Sequence, residues 1–324
     1  MYNQTESILM QYDIEIQEVT KGRGTFICDT NKGKMLLVPF RGSKEKGMLL
    51  HQFLEGLEAR DFWVEQVMLN KNLEAVSEDE YTGERFLLKT YVEGTEISTN
   101  KIDEMKEAVR LLAIYHNIAE QIELEKMQSL KTDEIMDSWR RHYRELIKVR
   151  NYIRSSKKKS EFEKIYMNYF EHNRKSAEDS LLLLEQAAKE NHRYGICHGD
   201  YNQHNVLLSK GAYRMVHFEK FVFHWSVLDV ANFLRKMLEK NEWNETIGKE
   251  LLLEYHRYRP IEKQEARLLY GLLMFPEKFW KVTNHYMNSR KTWISGREID
   301  KLKKVIAQEE QRLKFLENVF AFLG

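Results

Sequence analysis

The chain has 324 residues, 42% of them hydrophobic and 31% charged, which is enough apolar material to fill two lobes or two modest domains. Basic and acidic residues nearly cancel to a formal net charge of +1, so there is no overall pull toward nucleic acid or an anionic membrane surface. Three prolines and 15 glycines argue against a disordered or many-stranded chain, and the abundance of Leu, Glu and Lys favours helix.

The N-terminus, Met1 to Glu6, carries an acid and no basic leader, and no apolar run approaches the ~18 residues of a spanning helix. Synthesis in the cytosol and no transmembrane segment are expected. Cys28 and Cys197 are too few for a disulfide framework or a cysteine-based zinc site, which suits a reducing compartment. Cys197 reads as a small buried residue rather than a nucleophile.

Short β-branched and aromatic runs dominate the first hundred residues. Ile14 to Thr20, Thr25 to Asp29 and Met35 to Phe40 form a three-stranded meander, joined at Lys21-Gly22-Arg23-Gly24 and Thr30-Asn31-Lys32-Gly33, where Gly and Asn tolerate positive φ. Leu50, Phe53, Leu54 and Leu57 have helical spacing. A second hairpin joins Leu73 to Ser77 with Arg85 to Tyr91, and the β-rich part ends at Tyr91-Val92-Glu93-Gly94.

From about residue 100 the pattern is helical. Met105, Val109, Leu112, Tyr115, Ala119 and Ile122 make one stripe after Ser98-Thr99-Asn100. Thr132, Asp133 and Glu134 open another helix with negative charge at its positive end, and a long polar helix covers 160–190. Lys157-Lys158-Lys159 reads as part of a solvated face. A capping box from Ser295 to Glu298 opens one long final helix with Leu302, Ile306, Leu313, Leu316, Phe320 and Leu323 on its inner side. The aromatics Trp225, Trp280, Tyr286 and Trp293 read as core, with a pocket lining as the alternative.

One segment breaks the amphipathic background: Tyr194 to Leu208, Y-G-I-C-H-G-D-Y-N-Q-H-N-V-L-L. It sets His198, Asp200 and Asn205 between two apolar runs, so a turn flanked by strands would bring a general base and a hard-cation ligand into one space. On His198-Gly199-Asp200, the Asp-to-Asn interval and the β-rich region upstream, the chain resembles the aminoglycoside phosphotransferase and choline kinase superfamily. That resemblance implies an α+β, bilobal protein-kinase-like fold, with a small β-rich N-lobe over 1–94 and a large helical C-lobe over 95–324. It implies that Asp200 holds the catalytic base position, that Asn205 is a magnesium ligand, and that His198 supports the loop. It further implies that Tyr91, Val92 and Glu93 form the hinge that meets adenine, and that Asp229 is a structural brace.

Two departures qualify the match. In Val216-His217-Phe218-Glu219, His217 stands where the family carries its second metal aspartate, and imidazole is a poor ligand for magnesium. A protonated His217 4 Å from a cation would cost about 1 to 4 kcal/mol. Two substitutes stay open: Glu219 reaching in to restore coordination, or His217 binding phosphate without metal. The phosphate-binding strand lysine is also missing from the register of Val38 and Pro39, with only Lys34 and Arg41 nearby. Gly22-x-Gly24 needs no explanation beyond a turn.

Within the superfamily the sequence is most similar to endospore coat proteins of the CotS and YutH type, on Tyr91 to Glu96 and on the spacing from His198 through Asp229 to Ala231. The resemblance implies deposition in the endospore coat among other coat proteins, as a catalytically impaired kinase-like component or scaffold. No cofactor is then required; ATP and magnesium are expected only if the site is active. The alternative is an ATP-dependent small-molecule phosphotransferase with Asp200 as base. A third class, metal binding by His198, His204, His217 and His224, fits no strong ligand spacing.

Overall fold

The computed structural model describes residues 2–22, 24–123, 134–190, 192–288 and 296–321. They fall into two compact units, each made of separate chain segments. The first takes in residues up to Ser98 together with Arg110–Lys131 and Gly195–His224; the remainder forms the second.

In the first unit, α1 (Tyr2–Leu9) precedes the expected meander, β1 (Ile16–Lys21), β2 (Phe26–Thr30) and β3 (Gly33–Pro39). A five-stranded antiparallel sheet follows from adding β4 (Val76–Glu78) and β5 (Arg85–Thr90), in the order β1-β2-β3-β5-β4. Met35, Leu37, Phe86 and Leu88 of the sheet bury against Ile8, Leu9 and Tyr12. β4 is shorter than expected, because Asn70 to Glu74 form a turn in which Leu73 takes a left-handed conformation, φ 61°. Between the hairpins, α2 (Lys44–Glu58) is capped by the Ser43 hydroxyl, which accepts the Lys46 N–H at 3.2 Å, and the expected Leu50, Phe53, Leu54 and Leu57 are its buried face. The late segment of this unit supplies β8 (Val206–Ser209), which pairs with β6 (Thr95–Glu96) on one side and with β9 (Ala212–Met215) on the other. It also carries most of the two-stranded pairing of β7 (Tyr194–Cys197) with β10 (Val222–Trp225). α3 (Ile102–Ala119) belongs to the second unit up to Val109 and to the first from Arg110.

The second unit is helical. α4 (Glu134–Ser155) and α5 (Glu161–Ala187) pack with α9 (Glu277–Asn288) and α10 (Gly296–Ala307) around Leu146, Phe162, Tyr166, Phe279, Tyr286 and Leu302. Ser160 and Glu163 form a reciprocal capping box at the start of α5. The remaining helices are α6 (Val227–Lys240), α7 (Glu245–Tyr258), α8 (Lys263–Met274) and α11 (Glu309–Val319). Thr132, Asp133, Trp293, Ser295 and Leu323 lie outside the described residues.

The single long final helix is not observed: α10 and α11 are separate, meeting at Gln308. Between Ile306 and Leu313 the sequence is Ala307-Gln308-Glu309-Glu310-Gln311-Arg312, so a whole turn offers no apolar residue at the repeat and nothing holds the axis straight there. Trp225 and Tyr286 are buried, and the Trp280 indole donates to Glu145 at 2.8 Å, so these three serve packing.

Candidate functional site

The loop from His198 to Asn205 is fixed by bonds of its own side chains. The buried His198 ring is held at both nitrogens: Nε2 lies 2.9 Å from the Val216 carbonyl and Nδ1 accepts the Asp200 N–H at 3.2 Å. That pattern requires the neutral tautomer with its proton on Nε2. Gly199 has φ +81°, and a Cβ there would meet the Lys220 carbonyl oxygen at 1.9 Å, so only glycine lets the loop lie against the Lys220 backbone. Asn202 Nδ2 donates to the Asp200 carbonyl and to Oδ1, at 2.6 and 3.1 Å, and Asn205 Nδ2 donates to the same carbonyl at 2.9 Å. His198 therefore supports the loop, and Asn205 is presented next to Asp200, with its amide nitrogen committed and its oxygen the atom left for a ligand.

The segment after β9 is a 3₁₀ turn, Phe218–Lys220, rather than a strand. His217 precedes it in the left-handed region, φ 70° and ψ 55°, a strained state for a residue with a Cβ. What holds it is Glu65: one carboxylate oxygen accepts the backbone N–H of His217 at 2.7 Å and of Phe218 at 3.2 Å. The same oxygen accepts from the Lys89 ammonium at 2.8 Å.

Lys89 was not anticipated. It lies on β5, opposite Leu36, and is fully buried. Besides Glu65 it donates to Glu219 and lies 3.3 Å from His217 Nδ1. Burial disfavours its ammonium, but the two carboxylates outweigh that and raise its pKa. Burial likewise opposes ionisation of Glu219, and Lys89 together with His217 overcomes it and holds that carboxyl far below the usual range. Lys89 and Glu219 thus each favour the charged form of the other. A signal for it exists in the sequence, since Lys89 ends an otherwise apolar Phe-Leu-Leu run and Glu65 sits between Val64 and Gln66-Val67; a charge in a buried strand demands a partner.

Asp200 is also paired, its Oδ2 accepting from Lys220 Nζ at 2.8 Å. The loop and the 3₁₀ turn face a cavity of about 810 Å³ within the first unit, while Lys89, Glu65 and His198 are not among its lining residues. Asp200, Asn205, His217, Glu219 and Lys220 line it on one side, and Ile27, Leu36, Val38 and Pro39 give it an apolar side. Gly22 and Gly24 reach its lining from the β1–β2 turn, where the Gly22 N–H bonds the Thr25 carbonyl; Arg23 between them lies outside the described residues. Of the expected hinge, Tyr91 lines the cavity, while Val92 is buried and Glu93 exposed. Gly94 beside them brings the chain against β8, where a Cβ would lie 2.8 Å from the Leu208 carbonyl oxygen. Lys34 and Arg41 are exposed and are not among the lining residues. Asp229 is fully buried in the first turn of α6, in the second unit.

The donor set does not suit a hard divalent cation. Glu219, the candidate replacement ligand, is occupied by Lys89, and His217 offers imidazole, whereas magnesium demands near-octahedral oxygen. Nor do the histidines converge: His204 pairs with Glu96 at 2.6 Å, His198 holds the loop, and among the described residues no group of three His, Cys, Asp or Glu could hold a metal. Among the described residues, no helix is long and apolar enough to cross a membrane.

Residues 5–319 match the family described as "Spore coat putative kinase YutH". The fold is similar to that of an aminoglycoside phosphotransferase from Alicyclobacillus acidocaldarius subsp. acidocaldarius DSM 446, with a TM-score of 0.82 and 18% identity over 98% of this chain and 96% of that one. It is similar to the amicoumacin kinase hAmiN, solved with AMP-PNP, Ca2+ and Ami, at TM-score 0.64 and 13% identity over 96% and 92% of the two chains. Spectinomycin phosphotransferase APH(9)-Ia, solved with ADP and spectinomycin, gives TM-score 0.60 and 13% identity over 96% and 98%. At such identities the likeness establishes the fold: α+β, of the kinase-like aminoglycoside phosphotransferase type. No curated protein matches in sequence.

Proposed function

Because the chain belongs to the YutH family of spore coat kinase-like proteins, we propose that it is a coat component that keeps the kinase-like fold as a scaffold and has lost magnesium-dependent phosphoryl transfer. The observation that carries this reading is the pairing of both carboxylates that a kinase site would need free: Asp200 with Lys220 and Glu219 with Lys89. Phosphoryl transfer depends on metal ions that neutralise developing charge and on a base at the acceptor hydroxyl. Here Lys220 pairs with Asp200 at the base position, and Lys89 holds Glu219, the nearest acidic substitute for the lost metal ligand. The protein is then made in the cytosol, deposited in the endospore coat, and held there by other coat proteins.

A second reading, an ATP-dependent small-molecule phosphotransferase, is favoured by the order of the loop itself. Asp200 and Asn205 face the cavity in the arrangement that the catalytic role needs, and the Lys220 side chain that covers Asp200 is exposed and able to swing away. Tyr91 to Glu93 would then receive adenine and Asn205 a magnesium ion.

Calorimetry with ATP or ADP, with and without magnesium, on the wild type and Asp200→Ala separates the two. The scaffold reading expects no magnesium-dependent binding and no transfer to any acceptor. Tight magnesium-dependent binding, with turnover lost in Asp200→Ala, would replace it with the second reading. A fluorescent fusion followed through sporulation tests the location.

A further inference from the structure

A strong charge asymmetry lies away from the cavity. Between Arg140 and Lys159 nine residues are basic and only Glu145 is acidic, a net charge of +8 in a chain whose formal net charge is +1, so the remainder of the chain is net acidic. Arg141, Arg144 and Lys148 recur at i, i+3 and i+7 along α4, on the side opposite Leu146, Val149 and Ile153, which are buried in the helical core. Arg154, Lys157 and Lys158 continue the exposed basic surface at the end of the helix and beyond it. Arg140 is committed to Asp137 and Glu185, but among the described residues Arg144, Lys148, Arg154, Lys157 and Lys158 form no ion pair. Like charges gathered in this way repel one another, and an anionic partner removes that cost.

The β4–β5 turn of the first unit has the opposite character. Four of the seven residues from Glu78 to Glu84 are acidic. Asp79 fixes the turn: its Oδ1 accepts the N–H groups of Tyr81 and Thr82 at 3.1 and 2.8 Å and the Thr82 hydroxyl at 2.9 Å. Glu80 and Glu84 are exposed on either side of Tyr81, which at 92% is the most exposed large hydrophobic residue described. A turn already fixed by its own bonds loses little conformational freedom on docking, and tyrosine and arginine are the side chains that most often anchor interfaces.

We propose that the basic face of α4 is an interaction surface for a second copy of this chain, which docks there with its Glu78–Glu84 turn. Glu80 and Glu84 then meet the arginines and lysines of α4, and Tyr81 lies over a guanidinium plane. The two surfaces belong to different units of one chain, so the contact is heterologous: each copy gives its turn to one neighbour and its helix to another. An anionic bilayer fits less well, because the apolar side of α4 faces the core and leaves nothing to insert. A nucleic-acid duplex would use the basic face but not the acidic turn, which makes the turn the discriminating element. The contact is independent of phosphoryl transfer, and an active site would leave it untouched.

The test is sedimentation velocity of the full chain at about 100 μM, in about 50 mM and about 500 mM salt. The wild type is expected to self-associate at low salt and to be monomeric at high salt. Arg144→Glu/Lys148→Glu and, separately, Glu80→Lys/Tyr81→Ala are each expected to weaken association at least roughly tenfold, with thermal unfolding unchanged because all four residues are exposed. Mixed together, the two variants are expected to form one-to-one dimers and nothing larger, since one supplies an intact turn and the other an intact helix. A wild type that stays monomeric at low salt would overturn the inference. So would association that survives the turn variant, or a mixture of the two variants that stays monomeric. Short duplex DNA or phosphatidylserine vesicles that bind a monomeric wild type, and bind the turn variant equally well but not the α4 variant, would assign the basic face to that partner instead.

Discussion

Lys220 Nζ stands 2.8 Å from Asp200 Oδ2, with 68% of the lysine side chain and 31% of the aspartate side chain exposed. A pair this wet contributes little to stability, because water screens it and two side chains lose freedom to make it. Lys220→Ala is therefore expected to shift the unfolding free energy by less than about 1 kcal/mol in a urea titration. A larger loss would mean that Lys220 braces the loop instead of covering it.

The backbone beneath that pair is far less tolerant. Gly199 combines φ +81° with a Lys220 carbonyl 1.9 Å from where a Cβ would stand. Gly199→Ala must both strain its backbone and push the 198–200 loop off the 218–220 turn, at a cost of at least about 2 kcal/mol. Thermal unfolding checks this directly; a variant as stable as the wild type would show that the two segments can separate freely.

Glu65 serves three donors with one oxygen, the Lys89 ammonium and two backbone N–H groups. Glu65→Ala leaves all three without it in a buried place, and breaking a buried ion pair in this way costs about 3 to 5 kcal/mol. Glu65→Gln should lose less, since its amide oxygen can still accept from His217 and Phe218. Equal losses for the two variants in denaturant titrations would assign the whole effect to charge.

What the sequence disclosed and what it hid divide along physical lines. The meander was legible because its turns carry Gly and Asn, and the His198 to Asn205 loop because a polar run interrupts two apolar ones. The hydrophobic period places Leu50, Phe53, Leu54 and Leu57 correctly because they face one core. Lys89 shows in the sequence only as a charge closing an apolar run; its partners were hidden because they lie 24 and 130 residues away, and no local pattern names them. The absence of a lysine from the register of Val38 suggested a site without a buried lysine, whereas the lysine comes from a neighbouring strand. The break between α10 and α11 was visible as an apolar gap, but the stripe on either side obscured it.

In the helical unit Glu277 is expected to contribute to the dependence of stability on pH in the acid range. Burial opposes ionisation of Glu277, yet His142, Arg235 and Lys281 overcome that and hold its carboxyl at about 2, against the usual 4.5. His142 Nδ1 lies 3.5 Å from one carboxylate oxygen and Lys281 Nζ 3.2 Å from the other. A carboxyl whose pKa is lower folded than unfolded binds its proton more readily in the unfolded chain. Its contribution to stability is therefore complete above about pH 4.5 and disappears as the pH falls toward 2. Glu277→Gln removes the group that titrates. It should be less stable than the wild type at pH 7, with a flatter loss of stability between pH 4.5 and 2, so that the two curves of unfolding free energy approach one another at the acid end. Parallel curves across that window would show that Glu277 is not the group responsible.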